Sequence, residues 1–106
     1  MSTPIQTSAN TAKYIALEDQ FGAHNYHPLP VVLKKGKGVY VYDVEGKKYM
    51  DLIAGIGVSN VGHCHPTVVE AVQKQAETYM HLMVYGEYIQ APQVKFAEKL
   101  ASVLPS

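Results

Sequence analysis

Apolar and polar residues alternate along this chain in more than one rhythm, and the changes of rhythm mark its elements. Behind Pro66, the residues Val68, Val69, Val72, Ala76, Tyr79 and Met80 recur at intervals of three and four, which predicts an amphipathic helix to about Met80. Proline suits the first helical position because it has no N–H to leave unpaired there. A second such helix is predicted behind Pro92, with Phe96, Ala97, Leu100, Val103 and Leu104 on one face and Pro105 as its stop. A shorter helix is predicted from about Thr11 to Phe21, with Asn10 or Thr11 as N-cap and Gly22 at C′.

Between the first helix and the other two the period changes. His24-Asn25-Tyr26-His27-Pro28-Leu29-Pro30 reads as an extended connector stiffened by its prolines. Val31 to Leu33 opens a β section, Gly36-Lys37-Gly38 is a turn, and Val39 to Asp43 is dense in β-branched and aromatic residues. Glu45-Gly46 supplies a tight turn and Lys47 to Leu52 returns, so the section reads as a three-stranded antiparallel meander. Gly55 to His65 is a loop whose small residues allow close backbone approach, and Tyr85-Gly86-Glu87-Tyr88 is a second loop. Residues 1–10 are small and polar and are expected to form a flexible arm. The fold class is therefore α+β: an N-terminal helix, a three-stranded meander and two helices.

Composition narrows the function classes. At 106 residues with 47% hydrophobic and 17% charged, the chain suits a single globular unit rather than disorder. Nine cations, all Lys, balance nine carboxylates, so no net field draws nucleic acid or an anionic membrane. With no Arg, the chain lacks the bidentate fork that usually grips carboxylates and phosphates. The lone Cys64 excludes an intrachain disulfide framework and suits a reducing cytoplasm. Met1 to Thr7 has neither the basic start nor the apolar stretch of a secretory signal. Leu52 to Val69 is free of formal charge, but its glycines, Ser59, Asn60, histidines and Pro66 argue against a membrane span.

Few residues offer chemistry of their own. His24 and His27 are three apart, His63 and His65 flank Cys64, and His81 lies further on. A structural zinc site usually shows paired Cys-x-x-Cys or spaced His elements, and a thiol between two imidazoles on extended chain points away from both. No metal site is therefore expected; loop histidines that shape the turn before a helix are the simpler reading. Cys64 as a nucleophile needs a base and an orienting group, and no thiol-enzyme signature surrounds it. Gly55-Ile56-Gly57 fails as a dinucleotide fingerprint because Asn60 stands where the third glycine belongs. Lys34, Lys35, Lys37, Lys47 and Lys48 read as the solvated rim of a hairpin. Tyrosine is the unusual residue, eight against two Phe and no Trp. Tyr40, Tyr42 and Tyr49 fit as packing residues of the meander, whereas Tyr26 on its stiff connector is a pocket candidate.

Several of these motifs together resemble a known family. Gly22 to Pro30, Gly36-Lys37-Gly38-Val39-Tyr40, Asp43-Val44-Glu45-Gly46-Lys47-Lys48-Tyr49-Met50-Asp51 and Gly62-His63-Cys64-His65-Pro66 stand in the order found at the start of class III pyridoxal-phosphate aminotransferases. The ornithine, acetylornithine and 4-aminobutyrate aminotransferases are the most similar, and Gln93 to Leu100 resembles the family's next helix. The resemblance implies that residues 11–106 form the N-terminal part of the small domain of a fold-type I aminotransferase, with the large cofactor domain absent. It implies a parent enzyme that moves an amino group from an ω-amino donor to a 2-oxo acid as a homodimer, and the lone Cys64 places that enzyme in the cytoplasm. It implies pyridoxal phosphate in that parent but not on this segment, which lacks the Schiff-base lysine motif and the phosphate cradle and should be inactive alone. Two positions inherit a role: Tyr26 matches a tyrosine that lines the substrate pocket, and Ile56 aligns with a pocket position that is Tyr in ornithine aminotransferase and Ile in the 4-aminobutyrate type. No catalytic, cofactor-binding or metal-binding residue is expected in this segment. The alternative is an autonomous binding or interaction module without catalysis.

Overall fold

A computed structural model describes residues 8–83 and 85–105, so residues 1–7 of the expected arm lie outside the described residues. The chain forms two compact units, Met1–Ala71 and Val72–Ser106. In the first, α1 (Ala9–Phe21) begins two residues earlier than the sequence predicts. Its N-cap is Ser8 rather than Asn10 or Thr11, with Ser8 Oγ accepting the Thr11 amide at 3.3 Å. The reason lies far along the chain. The Glu45 carboxylate accepts from Ser8 Oγ, from the Thr11 amide and hydroxyl (both 3.2 Å) and from Asn10 Nδ2 (3.4 Å). A carboxylate at this helix end satisfies otherwise orphaned donors and opposes the positive end of the helix dipole. Thr11, at 8% exposure, is the buried residue at this junction.

At the other end of α1, Gly22 is extended (φ −67°, ψ 156°), not left-handed as a C′ glycine ordinarily is, and its amide donates to the Glu18 carbonyl at 2.7 Å. A Cβ there would lie 2.6 Å from that carbonyl oxygen. Close approach, not handedness, requires the glycine.

The meander forms as expected: β1 (Leu33–Lys37), β2 (Tyr40–Asp43) and β3 (Lys48–Met50), antiparallel in the order β1-β2-β3. Its first turn is shifted. Gly36 and Lys37 remain in β1, paired with Val41 and Tyr40, and the chain reverses at Gly38 (φ 60°) and Val39. A register shift between Leu33 and Lys35 bends the start of β1. The second turn is held by Asp43, whose Oδ1 accepts from the Glu45 and Lys47 amides (3.0 and 2.9 Å) while Oδ2 accepts from the Tyr49 hydroxyl (2.8 Å). Three rim lysines lie over tyrosine rings: Lys48 over Tyr40 at 4.5 Å, Lys47 over Tyr49 at 5.0 Å and Lys35 over Tyr42 at 5.5 Å. Tyr40, Val41, Tyr42 and Tyr49 are half-buried, the nearest thing to a core in this unit.

After β3 come a single helical turn, α2 (Ala54–Gly57), and then α3 (Pro66–Thr78), with Pro66 at its start as predicted. In α3 the helix stops two residues short of Met80, where the Gln75 side-chain amide donates to the Tyr79 carbonyl at 3.0 Å. The second unit also contains α4 (Ala91–Val103), with Pro92 in its first turn and Leu104 extended ahead of Pro105. The apolar faces predicted for these helices exist but are open: Val68, Val72, Phe96, Leu100 and Leu104 are all exposed. Among the described residues no apolar side chain is fully buried, and no helix is long and apolar enough to cross a membrane.

Candidate functional site

The connector from His24 to Leu33 runs beside α1 and encloses with it an open groove of about 1070 Å³. Tyr14, Ile15 and Glu18 supply the helix side, and the prolines Pro28 and Pro30 keep the other side extended. His24 fixes the entry. It adopts a left-handed φ of 53°, and its Nε2 lies 2.8 Å from the Asp19 carbonyl, which can only accept, so Nε2 carries the proton. Tyr26 lines this groove with 89% of its surface exposed, free to turn its hydroxyl towards a ligand.

Ile56 is held differently, on the loop after β3. Ala54, Gly55, Ile56 and Gly57 have successive φ values of 51°, 62°, 62° and 75°, so α2 is one turn of left-handed helix. The glycines accept this conformation readily; a β-branched residue does not. The turn nevertheless closes, with the Ile56 amide on the Ile53 carbonyl (2.9 Å) and the Val58 amide on the Ala54 carbonyl (2.8 Å). It presents Ile56 to solvent at 90% exposure. Ile56 is not among the residues lining the groove that holds Tyr26, so within this chain the two expected site residues stand on separate surfaces.

Sequence reasoning missed the group that anchors this turn. Asp51 Oδ1 accepts from the Ile53 and Ala54 amides at 3.1 and 2.9 Å, and Oδ2 lies 2.7 Å from His63 Nε2. The Ala54 amide and then the His63 ring hold the Asp51 carboxyl below its usual range. His63 is in turn tied to the meander by a two-way backbone bridge with Gly38 (2.7 and 2.9 Å), and the Asp51 amide donates to the Val39 carbonyl at 2.8 Å. The local signal was available: an Asp directly before a non-helical turn bonds amides two and three residues on. Its partner twelve residues away had no such signal.

The other histidine and thiol candidates do not converge. His63 is engaged by Asp51 and His24 by a backbone carbonyl, Cys64 is exposed, and among the described residues no set of three His, Cys, Asp or Glu side chains is placed to hold a metal. Pyridoxal phosphate needs a lysine for its Schiff base, an acid for its ring nitrogen and a phosphate cradle. All nine lysines are exposed, three of them over tyrosine rings, and the Tyr26 groove contains none. The described residues of this groove, which include no lysine, do not compose that site.

Known proteins resemble this chain in sequence and fold. The chain matches the family described as aminotransferase class-III over residues 21–106. It is 54% identical over 90 residues to an acetylornithine aminotransferase of Methanocaldococcus jannaschii, covering 85% of this chain and 22% of that protein. It is 57% identical over 77 residues to a probable mitochondrial ornithine aminotransferase of Caenorhabditis elegans, covering 67% of this chain and 18% of that one. Among solved structures, the acetylornithine aminotransferase from Elizabethkingia anophelis superposes with a TM-score of 0.81 at 43% identity, over 92% of this chain and 25% of that one. The chain thus spans a quarter or less of the length of these relatives. With the family match running from the end of α1 through α4, this chain belongs to the class-III aminotransferases.

Proposed function

We propose that this chain is the N-terminal portion of a pyridoxal-phosphate aminotransferase that moves an amino group from an ω-amino donor to a 2-oxo acid. The donor is of the ornithine, acetylornithine or 4-aminobutyrate class. The observation that carries the reading is the family match over residues 21–106, joined by relatives named acetylornithine and ornithine aminotransferase. Tyr26 and Ile56 are the two substrate-lining residues. The tyrosine hydroxyl can donate to or accept from the polar end of a donor, while Ile56 offers a short apolar wall that tells donors apart by length and charge. The cofactor, when bound, supplies the electron sink for the amino transfer. This segment contributes recognition and positioning, and by itself it is inactive.

The open faces of α3 and α4 support a larger, homodimeric parent. Each large apolar side chain left in water forfeits roughly 1.5–3 kcal/mol, and Val72, Phe96 and Leu104 are all more than half exposed. The remainder of the polypeptide and a second subunit are the covers we assign to them, in a cytoplasmic enzyme. The experiment is a comparison of ornithine, N-acetylornithine and 4-aminobutyrate as donors to a 2-oxo acid with the full-length protein. Turnover with at least one is expected, and Ile56→Tyr should disfavour 4-aminobutyrate. No turnover with any ω-amino donor would overturn the reading.

A further inference from the structure

We infer that Asp51 and His63 are positioning residues for substrate specificity, acting together as a brace that holds Ile56 in its left-handed turn. The inference rests on the reading of Ile56 as a substrate-lining residue.

The geometry requires a brace. Ala54 and Ile56 are L-residues in a conformation that crowds Cβ against the following carbonyl. Such a conformation persists only where its surroundings over-determine it. Asp51 provides that determination at the start of the turn. With Oδ1 it holds the amides of Ile53 and Ala54, the residues just before and at the first left-handed position. The turn's own bonds then run back to those same two residues, Ile56 amide to Ile53 carbonyl and Val58 and Ser59 amides to Ala54 carbonyl. Moving Asp51 therefore moves the frame on which Ile56 is mounted.

Asp51 is in turn fixed by His63 through Oδ2 at 2.7 Å. The imidazole has little freedom of its own. His63 is bridged through its backbone to Gly38, and its ring sits against Gly36 so closely that a Cβ on Gly36 would lie 2.8 Å from His63 Cβ and Cγ. Close approach of backbone to a ring is a reason for glycine in mid-strand, and it accounts for a glycine at position 36 of β1. The chain of contact runs Gly36, His63, Asp51, Ile53, Ile56, from the meander to an exposed side chain. A 2.7 Å bond of this kind is stronger than a neutral one and holds direction as well as distance. Neither Asp51 nor His63 lines the Tyr26 groove.

The test uses the full-length enzyme and a double-mutant cycle. Asp51→Asn and His63→Gln are made singly, and each again in an Ile56→Ala background, with kcat and KM for the preferred donor read in every variant. Gly36→Ala, which displaces His63 without altering either partner, is a third route that does not remove a hydrogen-bonding group. Each single variant is expected to raise the donor KM about tenfold with kcat within about twofold, and to add almost nothing once Ile56 is Ala. Effects that persist in full in the Ile56→Ala background, or that fall on kcat alone, would overturn the brace while leaving Ile56 as a substrate residue. An Ile56→Ala variant with unchanged donor KM would overturn both. If Asp51→Asn fails to fold, the Gly36→Ala and His63→Gln cycles decide the matter by the same criterion.

Discussion

Replacing Ile56 by glycine should strengthen the turn that carries it. Ile56 sits at φ 62°, ψ 57°, within about ten degrees of ideal left-handed helix. The penalty for an L-residue there is roughly 1–2 kcal/mol, and a β-branched side chain belongs at the upper end. Glycine removes that penalty but loses more chain entropy on folding, about 0.5–1 kcal/mol. Because Ile56 is 90% exposed in this chain, little apolar burial is forfeited. The net is a stabilisation of about 1–1.5 kcal/mol, which slows exchange of amides closed by this turn roughly five- to twelvefold. Hydrogen exchange at the Val58 and Ser59 amides, both bonded to the Ala54 carbonyl, is the direct assay. Ile56→Asn should gain less than glycine, and Ile56→Val, equally branched, should change nothing. Faster exchange in Ile56→Gly than in Ile56→Val would refute the strain argument. Donor KM in the full-length enzyme should rise in Ile56→Gly even as the turn is strengthened, since strain of this kind is kept where a side chain is needed.

Other consequences follow from named contacts. Ser8→Ala removes the α1 cap and one donor to Glu45, and should cost about 1 kcal/mol in denaturant unfolding. Gly22→Ala puts a Cβ against the Glu18 carbonyl oxygen and should cost about 1–3 kcal/mol, fraying the last turn of α1 in hydrogen exchange. Asp43, Glu45 and Asp51 are held below their ordinary values by the Tyr49 hydroxyl, the Ser8 hydroxyl and the Ala54 amide respectively. Their contribution is therefore present above the unfolded carboxylate range and is lost as pH falls through the lowered values, so an acid titration should loosen the meander and α1 together, and Glu45→Gln should flatten that dependence. Tyr49 is raised by its bond to Asp43, so its contribution is full below pH 10.0 and fades as pH climbs through the raised value. Tyr49→Phe should abolish this alkaline step.

The sequence was most legible where structure is local. Period and proline marked α3 and α4 to within two residues, and β-branched and aromatic density marked β2 and its neighbours. Two of the misplacements involve a partner distant in sequence. The α1 cap moved to Ser8, where Glu45 gathers the donors, and Gly36, expected in the first hairpin turn, lies instead in β1 against His63. The left-handed turn was invisible because no local preference places isoleucine at positive φ; the Asp51–His63 pair imposes it. Tyr26 was marked by its place on the proline-stiffened connector as well as by family resemblance, whereas Ile56 came from resemblance alone and nothing in periodicity or charge singles it out. The groove beside Tyr26, by contrast, follows from the two prolines that keep its connector from folding back.

The central claim is tested most directly by purifying the full-length protein and following its visible absorbance on addition of an ω-amino donor without any 2-oxo acid. The account predicts the colour of enzyme-bound pyridoxal phosphate before addition, its loss in a single turnover, and its return when a 2-oxo acid is supplied. A full-length protein that carries no pyridoxal phosphate after reconstitution, or whose spectrum is indifferent to ornithine, N-acetylornithine and 4-aminobutyrate alike, would contradict it.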